Sequence, residues 1–298
     1  MARGIGIPNR AVRRSAAKRI AAVAATAAMT MVVLANGAGA STTITEFALP
    51  TAGSGPAGLT TGPDHAIWFT ELGTNGIARM DVNTHMVREY PLATKSAGPN
   101  AIAAGPDGGL WFTELAAGNI ARIDPGTGTI AEFPIPTPQA LPGVIVNGPD
   151  GGLWFPELGG NKIGRIDPKT AKITEFAIPT AKAQPVGIVA GPDGAIWFSE
   201  TATHNIGRLD VTTGAIKEFP VTGAKSVPAA MAAGPDGKVW FVEMGSNKIG
   251  RINPATGEIS EYPIPSANSV PVQIAPGSDG ALWFTQLATN RIGRIGGI

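Results

Sequence analysis

The chain has 298 residues, with 23 Lys and Arg against 22 Asp and Glu, no cysteine, 40 glycines and 26 prolines. The lack of cysteine excludes disulfides, thiolate zinc sites and a cysteine nucleophile. Six basic residues and no acidic ones lie before residue 41, leaving 17 basic residues against all 22 acidic ones, a net −5. A mildly acidic chain without a basic stripe disfavours nucleic acid and anionic membrane surfaces as partners.

The chain opens on Arg3, Arg10, Arg13, Arg14, Lys18 and Arg19, then an Ala-rich apolar run from Ile20 to Ala35, then Ala38-Gly39-Ala40 before Ser41. That order predicts a secretory signal peptide over residues 1–40 and a mature protein that is secreted or periplasmic. The apolar run is shorter than the ~20 residues a spanning helix needs, so no membrane span is expected after cleavage. Arg13-Arg14 with Lys18 has twin-arginine spacing, but Ala16 and Ala17 replace the usual bulky apolar residues, and the export route stays open.

Residues 41–298 read as one domain, long enough to bury a core without disulfides. Trp68, Trp111, Trp154, Trp197, Trp240 and Trp283 are all the tryptophans, and successive ones are 43 residues apart. Around each runs the same pattern: P-x-x-I, G-P-D-G, L-W-F-T-E, N-K-I-G-R-I-D-P, T-G-x-I-x-E-F-P-I-P. Each unit holds four short apolar runs rich in β-branched and aromatic residues, separated by Pro-Asp-Gly and Thr-Gly turn signals. Four strands per ~40–45 residues predict a propeller blade, and the proline and glycine content disfavours helical repeats. The segment TTITEFALPT (42–51) matches the last strand of the unit, and the terminal NRIGRIGGI lacks it. The expected fold is therefore an all-β, six-bladed β-propeller of four-stranded blades. Its ring is closed by the N-terminal strand, which completes the last blade.

A repeat is its own control. Glu71, Glu114, Glu157, Glu200 and Glu243 end the Trp strand in five blades, and Gln286 replaces them in the sixth. Arg79, Arg122, Arg165, Arg208, Arg251 and Arg294 follow eight residues later. The favoured reading is structural pairing of Glu with Arg, or blade packing. The alternative is that the five glutamates ring the pore and hold magnesium or calcium as oxygen ligands. Other departures are Asn100 and Gln273 on the inner strands, Asn147 and Pro276 before turns, and Pro156 in place of Thr. Asn100, Gln273 and Gln286 are candidate ligand-binding residues. There is no G-x-S-x-G elbow and no Walker loop, and the GPDG turns lack the following helix of a phosphate cradle.

WFTE, NKIGRI, TG-x-I-x-EFPIP and P-x-x-I-x-x-GPDG together resemble the streptogramin B lyase (virginiamycin B lyase-like) family, over residues 41–298. The resemblance implies a propeller that opens cyclic depsipeptide lactones by elimination. A base takes the proton alpha to a carbonyl, the ester oxygen leaves, and magnesium polarises the substrate. It also implies a base drawn from histidines directly after the proline of P-H-x-I, with a metal site supported by a nearby carboxylate and a Glu ending a W-F strand. Here the post-proline residues are Ala57, Asn100, Gly143, Val186, Ala229 and Val272, none a histidine. His65 sits in a GPDG-type turn, His85 in the turn before an outer strand, and His204 in the loop after a W-F strand. Two readings follow. The first is an exported, monomeric propeller that binds a small molecule, peptide or glycan at the pore face. The second is a divergent magnesium-dependent carbon–oxygen lyase with Glu200 or His204 as substitute base.

Overall fold

The computed structural model describes residues 45–298 except Ala224. The expected signal peptide lies outside the described residues. Among the described residues every regular element is a β-strand, and no helix is long and apolar enough to cross a membrane.

The strands form six antiparallel sheets in chain order, five of four strands and a sixth of three. Blade 1 is Pro56–Thr61, Ile67–Glu71, Gly76–Met80 and Val87–Pro91, each strand paired with the next. Its register sets Trp68 opposite Arg79 and Phe69 opposite Ala78. The same pairings recur one repeat later, with Trp111 opposite Arg122. The first strands of neighbouring blades lie side by side, as blade 1 does with Pro99–Ala104 of blade 2. Their close approach needs glycine: a Cβ on Gly187 would collide with the backbone of Ala229 in the next blade.

The core lies between blades. One cluster joins Trp68 and Ile77 of blade 1 to Ile102, Leu110 and Phe112 of blade 2. Five of the six tryptophans are fully buried. Each of those five stacks on the aromatic of its outer strand, as Trp111 does on Phe133 with ring centroids 5.7 Å apart. An indole buries roughly 150–250 Å². At about 25 cal/mol per Å², that is an upper estimate of about 4–6 kcal/mol for each.

The arginines have a different partner from the one the sequence favoured. Each faces the aspartate of its own GPDG turn. Arg122 Nε donates to Asp107 Oδ2 at 2.6 Å, and Arg208 Nε donates to Asp193 Oδ2 at 2.7 Å. The other aspartate oxygen accepts the tryptophan indole N–H. Strand pairing explains this. Trp and Arg are cross-strand neighbours on one face, and the turn brings the aspartate over both. The glutamates lie on the opposite face, with Phe69 and Ala78.

Among the described residues, the expected fourth strand of the last blade is not in the six sheets. Blade 6 consists of Pro271–Pro276, Leu282–Gln286 and Arg291–Ile295, and residues 45–49 are in no strand. Trp283 and Ile292 are exposed, as is Leu59 on the facing side of blade 1. Residues 47–51 nevertheless make the contacts to blade 1 that outer-strand and connector residues make elsewhere. Phe47 stacks on His85 at 4.1 Å. Thr51 donates to Glu89 through its N–H and hydroxyl, as Thr94 does to Glu132.

Candidate functional site

In each blade the inner strand enters at a proline that stands opposite the Glu or Gln ending the second strand: Pro56 opposite Glu71, Pro99 opposite Glu114, Pro271 opposite Gln286. The post-proline residues and these strand ends therefore share one mouth of the ring. A bulge follows each proline in blades 1, 2, 4, 5 and 6. It leaves one residue per inner strand outside the ladder pairing.

The hydroxyl two residues after Trp clamps this bulge to the next blade. Thr113 accepts the Ala101 N–H at 3.1 Å and donates to the Gly143 carbonyl at 2.9 Å. Thr70 accepts the Gly58 N–H and donates to the Asn100 carbonyl. Blade 3 breaks the pattern. Pro156 occupies the clamp position, and only Val146–Asn147 of its inner strand is regular. Val242 also lacks the hydroxyl, yet Pro228–Ala233 stays a full strand, so loss of the hydroxyl alone does not shorten the strand. The irregular segment leaves Val144 exposed beside exposed Val186. Asn147 Nδ2 reaches the Ala104 carbonyl of blade 2 at 2.9 Å.

The predicted ligand residues separate. Asn100 is half-buried and Gln273 exposed, both on inner strands at the mouth. Gln286 is buried inside blade 6, where its Oε1 accepts the Thr289 hydroxyl at 3.3 Å. Sequence reasoning placed Val186 in the post-proline ring but missed Val144, because an apolar residue inside a strand pattern reads as core.

Glu71, Glu114, Glu157, Glu200 and Glu243 are fully buried in the blade walls below the mouth. Their acidic neighbours are the outer-strand glutamates of their own blades: Glu89, Glu132, Glu175, Glu218 and Glu261. Burial, then the neighbouring carboxylate, push Glu157 up to about 8. Burial lifts Glu114 to about 7 against the Asn119 hydrogen bond, and Glu132 adds to the rise. Glu71, Glu200 and Glu243 are raised by burial in the same way. Among the described residues no group of three or more His, Asp or Glu side chains stands together. Lys162 and Lys248 stand beside two of the pairs, donating to Glu175 and Glu261. The donor set does not fit a magnesium site on the pore face.

The three histidines all adopt left-handed backbone, at φ 59°, 59° and 60° for His65, His85 and His204. His65 takes the place of the turn glycine that Gly108 and Gly151 supply. His204 takes the position of Asn75, Asn161 and Asn247, which accept a backbone N–H from the following connector. His204 does the same, its Nδ1 accepting the Val227 N–H at 3.2 Å. Glu200 Oε2 accepts from Thr203 and Asn205 in that loop. The two catalytic candidates are thus both engaged within blade 4 and its connector.

The family model described as the virginiamycin B lyase family matches residues 35–185 and 145–297. This chain belongs to the virginiamycin B lyase family. It is similar to the crystal structure of virginiamycin B lyase from Staphylococcus aureus, at 39% identity and a TM-score of 0.76 over 85% of this chain and 84% of that one. A streptogramin B lyase structure is 38% identical, with a TM-score of 0.75 over 84% and 82% of the chains. A catalytically inactive histidine-to-alanine variant of the S. aureus lyase, with quinupristin, is 38% identical, with a TM-score of 0.77 over 85% of each chain. A gluconolactonase from Xanthomonas campestris, at 16% identity and a TM-score of 0.53, shares the fold alone. No curated relative matches.

Proposed function

We propose that this protein is an extracytoplasmic member of the virginiamycin B lyase family that binds a small-molecule, peptide or glycan ligand over the pore mouth without cleaving it. The observation that carries the reading is the post-proline ring. Ala57, Asn100, Gly143, Val186, Ala229 and Val272 include no group able to take a proton near neutral pH. The three histidines serve as turn residues instead. In the S. aureus relative a single histidine-to-alanine change accompanies inactivity, and a general base contributes typically ~10²–10⁴-fold in rate. Asn100 and Gln273 supply amides at the mouth, and Val144 and Val186 supply apolar surface. That mixture suits a ligand carrying both peptide groups and apolar side chains.

The same proposal includes export after cleavage before Ser41, and a ring in which the opening segment, described from residue 45 onward, completes blade 6 beside Arg291–Ile295. The exposed Trp283 and Ile292 support closure, because their counterparts in the other five blades are buried.

The test is incubation of the chain from Ser41 with quinupristin and magnesium, followed by mass spectrometry and calorimetry. Intact quinupristin at high protein concentration is expected. A ring-opened product of unchanged mass would overturn the binding reading. It would establish the second reading, a lyase with a substitute base, which the 38–39% identity to lyases favours.

A further inference from the structure

The five buried glutamates have a repeated arrangement that the pore face does not use. In each of blades 1 to 5 the inner Glu faces the outer-strand Glu of its own blade. The outer Glu is already committed to donors. Glu132 accepts the Thr94 N–H at 3.2 Å and its hydroxyl at 2.5 Å, and Glu218 accepts the Thr180 N–H at 3.0 Å and its hydroxyl at 2.9 Å. Glu175 accepts the Thr137 N–H and Lys162 Nζ, each at 3.0 Å. These threonines lie on the connector from the preceding blade, so Glu132, Glu175 and Glu218 each hold two blades together, whereas Glu261 accepts only from Lys248 and its Oε1 has no partner.

Each inner glutamate has at least one carboxyl oxygen without a donor. One carboxyl oxygen of Glu71, Glu114, Glu200 and Glu243, and both oxygens of Glu157, are buried with no hydrogen-bond partner. The groups facing them can be named. Glu71 meets Glu89, Thr74 and Ser54; Glu114 meets Glu132 and Asn119. Glu157 meets Glu175 and Lys162; Glu200 meets Glu218, Thr203 and Asn205; Glu243 meets Glu261, Ser246 and Lys248. Among the described residues no positive charge faces the inner Glu in blades 1, 2 and 4. Two charged carboxylates in contact in a buried wall repel strongly, and a single proton between them removes that repulsion and supplies the missing donor.

Blade 6 carries an independent mark of the same chemistry. Gln286 holds the glutamate's place, is buried at 7% exposure, and takes the Thr289 hydroxyl at 3.3 Å as Glu71 takes that of Thr74 at 3.1 Å. A glutamine is the neutral isostere of a protonated glutamate, with an N–H where the acid has an O–H. The outer residue of that blade in the repeat is Glu46.

We propose that Glu114, Glu157, Glu200 and Glu243 are held as neutral carboxylic acids, each donating its proton to the carboxylate of the outer-strand Glu in its blade, so that in blades 2 to 4 the shared protons form a pH-sensitive clasp between neighbouring blades. The unfolded chain releases such a proton above its ordinary pKa of about 4.5, while the folded chain keeps it to about 7 or 8. The folded state then binds more protons across that window. The clasp's contribution is complete below pH 4.5, falls as pH rises and is gone above the folded value.

The test uses the chain from Ser41 labelled with carbon-13 at the glutamate carboxyl. Carbon NMR between pH 5 and 9 is expected to show four glutamate carboxyls, those of Glu114, Glu157, Glu200 and Glu243, still protonated at pH 6. Carboxylate shifts for every glutamate at pH 6 would overturn the proposal without any mutation. Urea unfolding of Glu157→Gln between pH 5 and 8 gives a second readout. Loss of one linked proton should remove a tenfold change in the unfolding constant per pH unit within the window. A wild-type pH slope retained in Glu157→Gln would also overturn it.

Discussion

The indole N–H of Trp111 donates to Asp107 Oδ1 at 2.9 Å, and the second oxygen of that carboxylate takes Arg122 Nε at 2.6 Å. This unit of tryptophan, turn aspartate and arginine recurs in blades 1, 3, 4 and 6, with Arg251 standing 3.7 Å from Asp236 in blade 5, and ties the turn after the inner strand to the strand behind it. Asp107→Ala leaves a buried indole N–H without an acceptor and frees the guanidinium. The expected loss is about 1–3 kcal/mol. Asp107→Asn keeps an acceptor for the indole and should cost less. Urea unfolding of both variants checks this, and equal stability of Asp107→Ala and wild type would contradict it.

His204 bears on the choice between binding and catalysis. Its backbone φ of 60° and its Nδ1 contact to the Val227 N–H reproduce what asparagine does in three other blades. His204→Asn should stay within about 0.5 kcal/mol of wild type and keep any ligand affinity. His204→Val places a β-branched residue in left-handed backbone and should lose about 1–3 kcal/mol. Loss of a measured activity in His204→Asn, with stability intact, would return His204 to the site.

The blades were legible in the sequence because one tryptophan per repeat marks a buried position that every sheet needs. The partners were harder to read. Arg122 follows Glu114 by eight residues, and that proximity suggested a pair. In the hairpin they fall on opposite faces, since side chains alternate along a strand. The aspartate of GPDG recurs as faithfully as the arginine and lies fifteen residues before it. Its capture of Trp and Arg needs the three-dimensional turn as well as the spacing. Glu132 was visible in every E-F-P strand, but its meeting with Glu114 depends on the register of three strands. The histidines were read as turn residues from their places in the repeat, and their positive φ is the physical reason they replace Gly and Asn.

Pro156 marks the least regular inner strand. The hydroxyl of Thr113 joins its own bulge to the next blade, and blade 3 has no such group. Pro156→Thr restores both a backbone N–H and the clamp. It should stabilise the fold by about 0.5–1.5 kcal/mol per bond gained. Exchange of the Val144 amide should slow. If the loose segment shapes the ligand surface, affinity falls as stability rises, and calorimetry separates the two effects.

Closure of the ring predicts a truncation result. Starting the chain at Pro50 removes Phe47 and its stacking on His85, together with the segment proposed to pair with Arg291–Ile295. Hydrogen exchange of the Arg291–Ile295 amides should be slow in the chain from Ser41 and fast in the truncated one. The shortened protein should also self-associate through its open edge. Identical exchange in the two chains would show that the segment does not close blade 6.

The aspartates give the acid limb of the stability profile, opposite in sign to the glutamates. Burial works to raise Asp64, Asp107, Asp150 and Asp193, but the tryptophan and arginine hydrogen bonds together outweigh it and leave each below its ordinary value. In blade 6 the Trp283 and Arg294 bonds bring Asp279 down to about 2. A depressed carboxylate stabilises the fold above the unfolded value, near 3.8, and that contribution disappears as pH falls through the folded value. Stability should therefore peak near pH 4–5, decline towards pH 2 through the aspartates, and decline towards pH 8 through the glutamates. Urea midpoints measured across pH 2–9 test both limbs at once. Asp107→Asn should flatten only the acid limb and Glu157→Gln only the limb above pH 4.5. A variant that moved both limbs equally would mean that the two sets of carboxyls do not titrate as separate units.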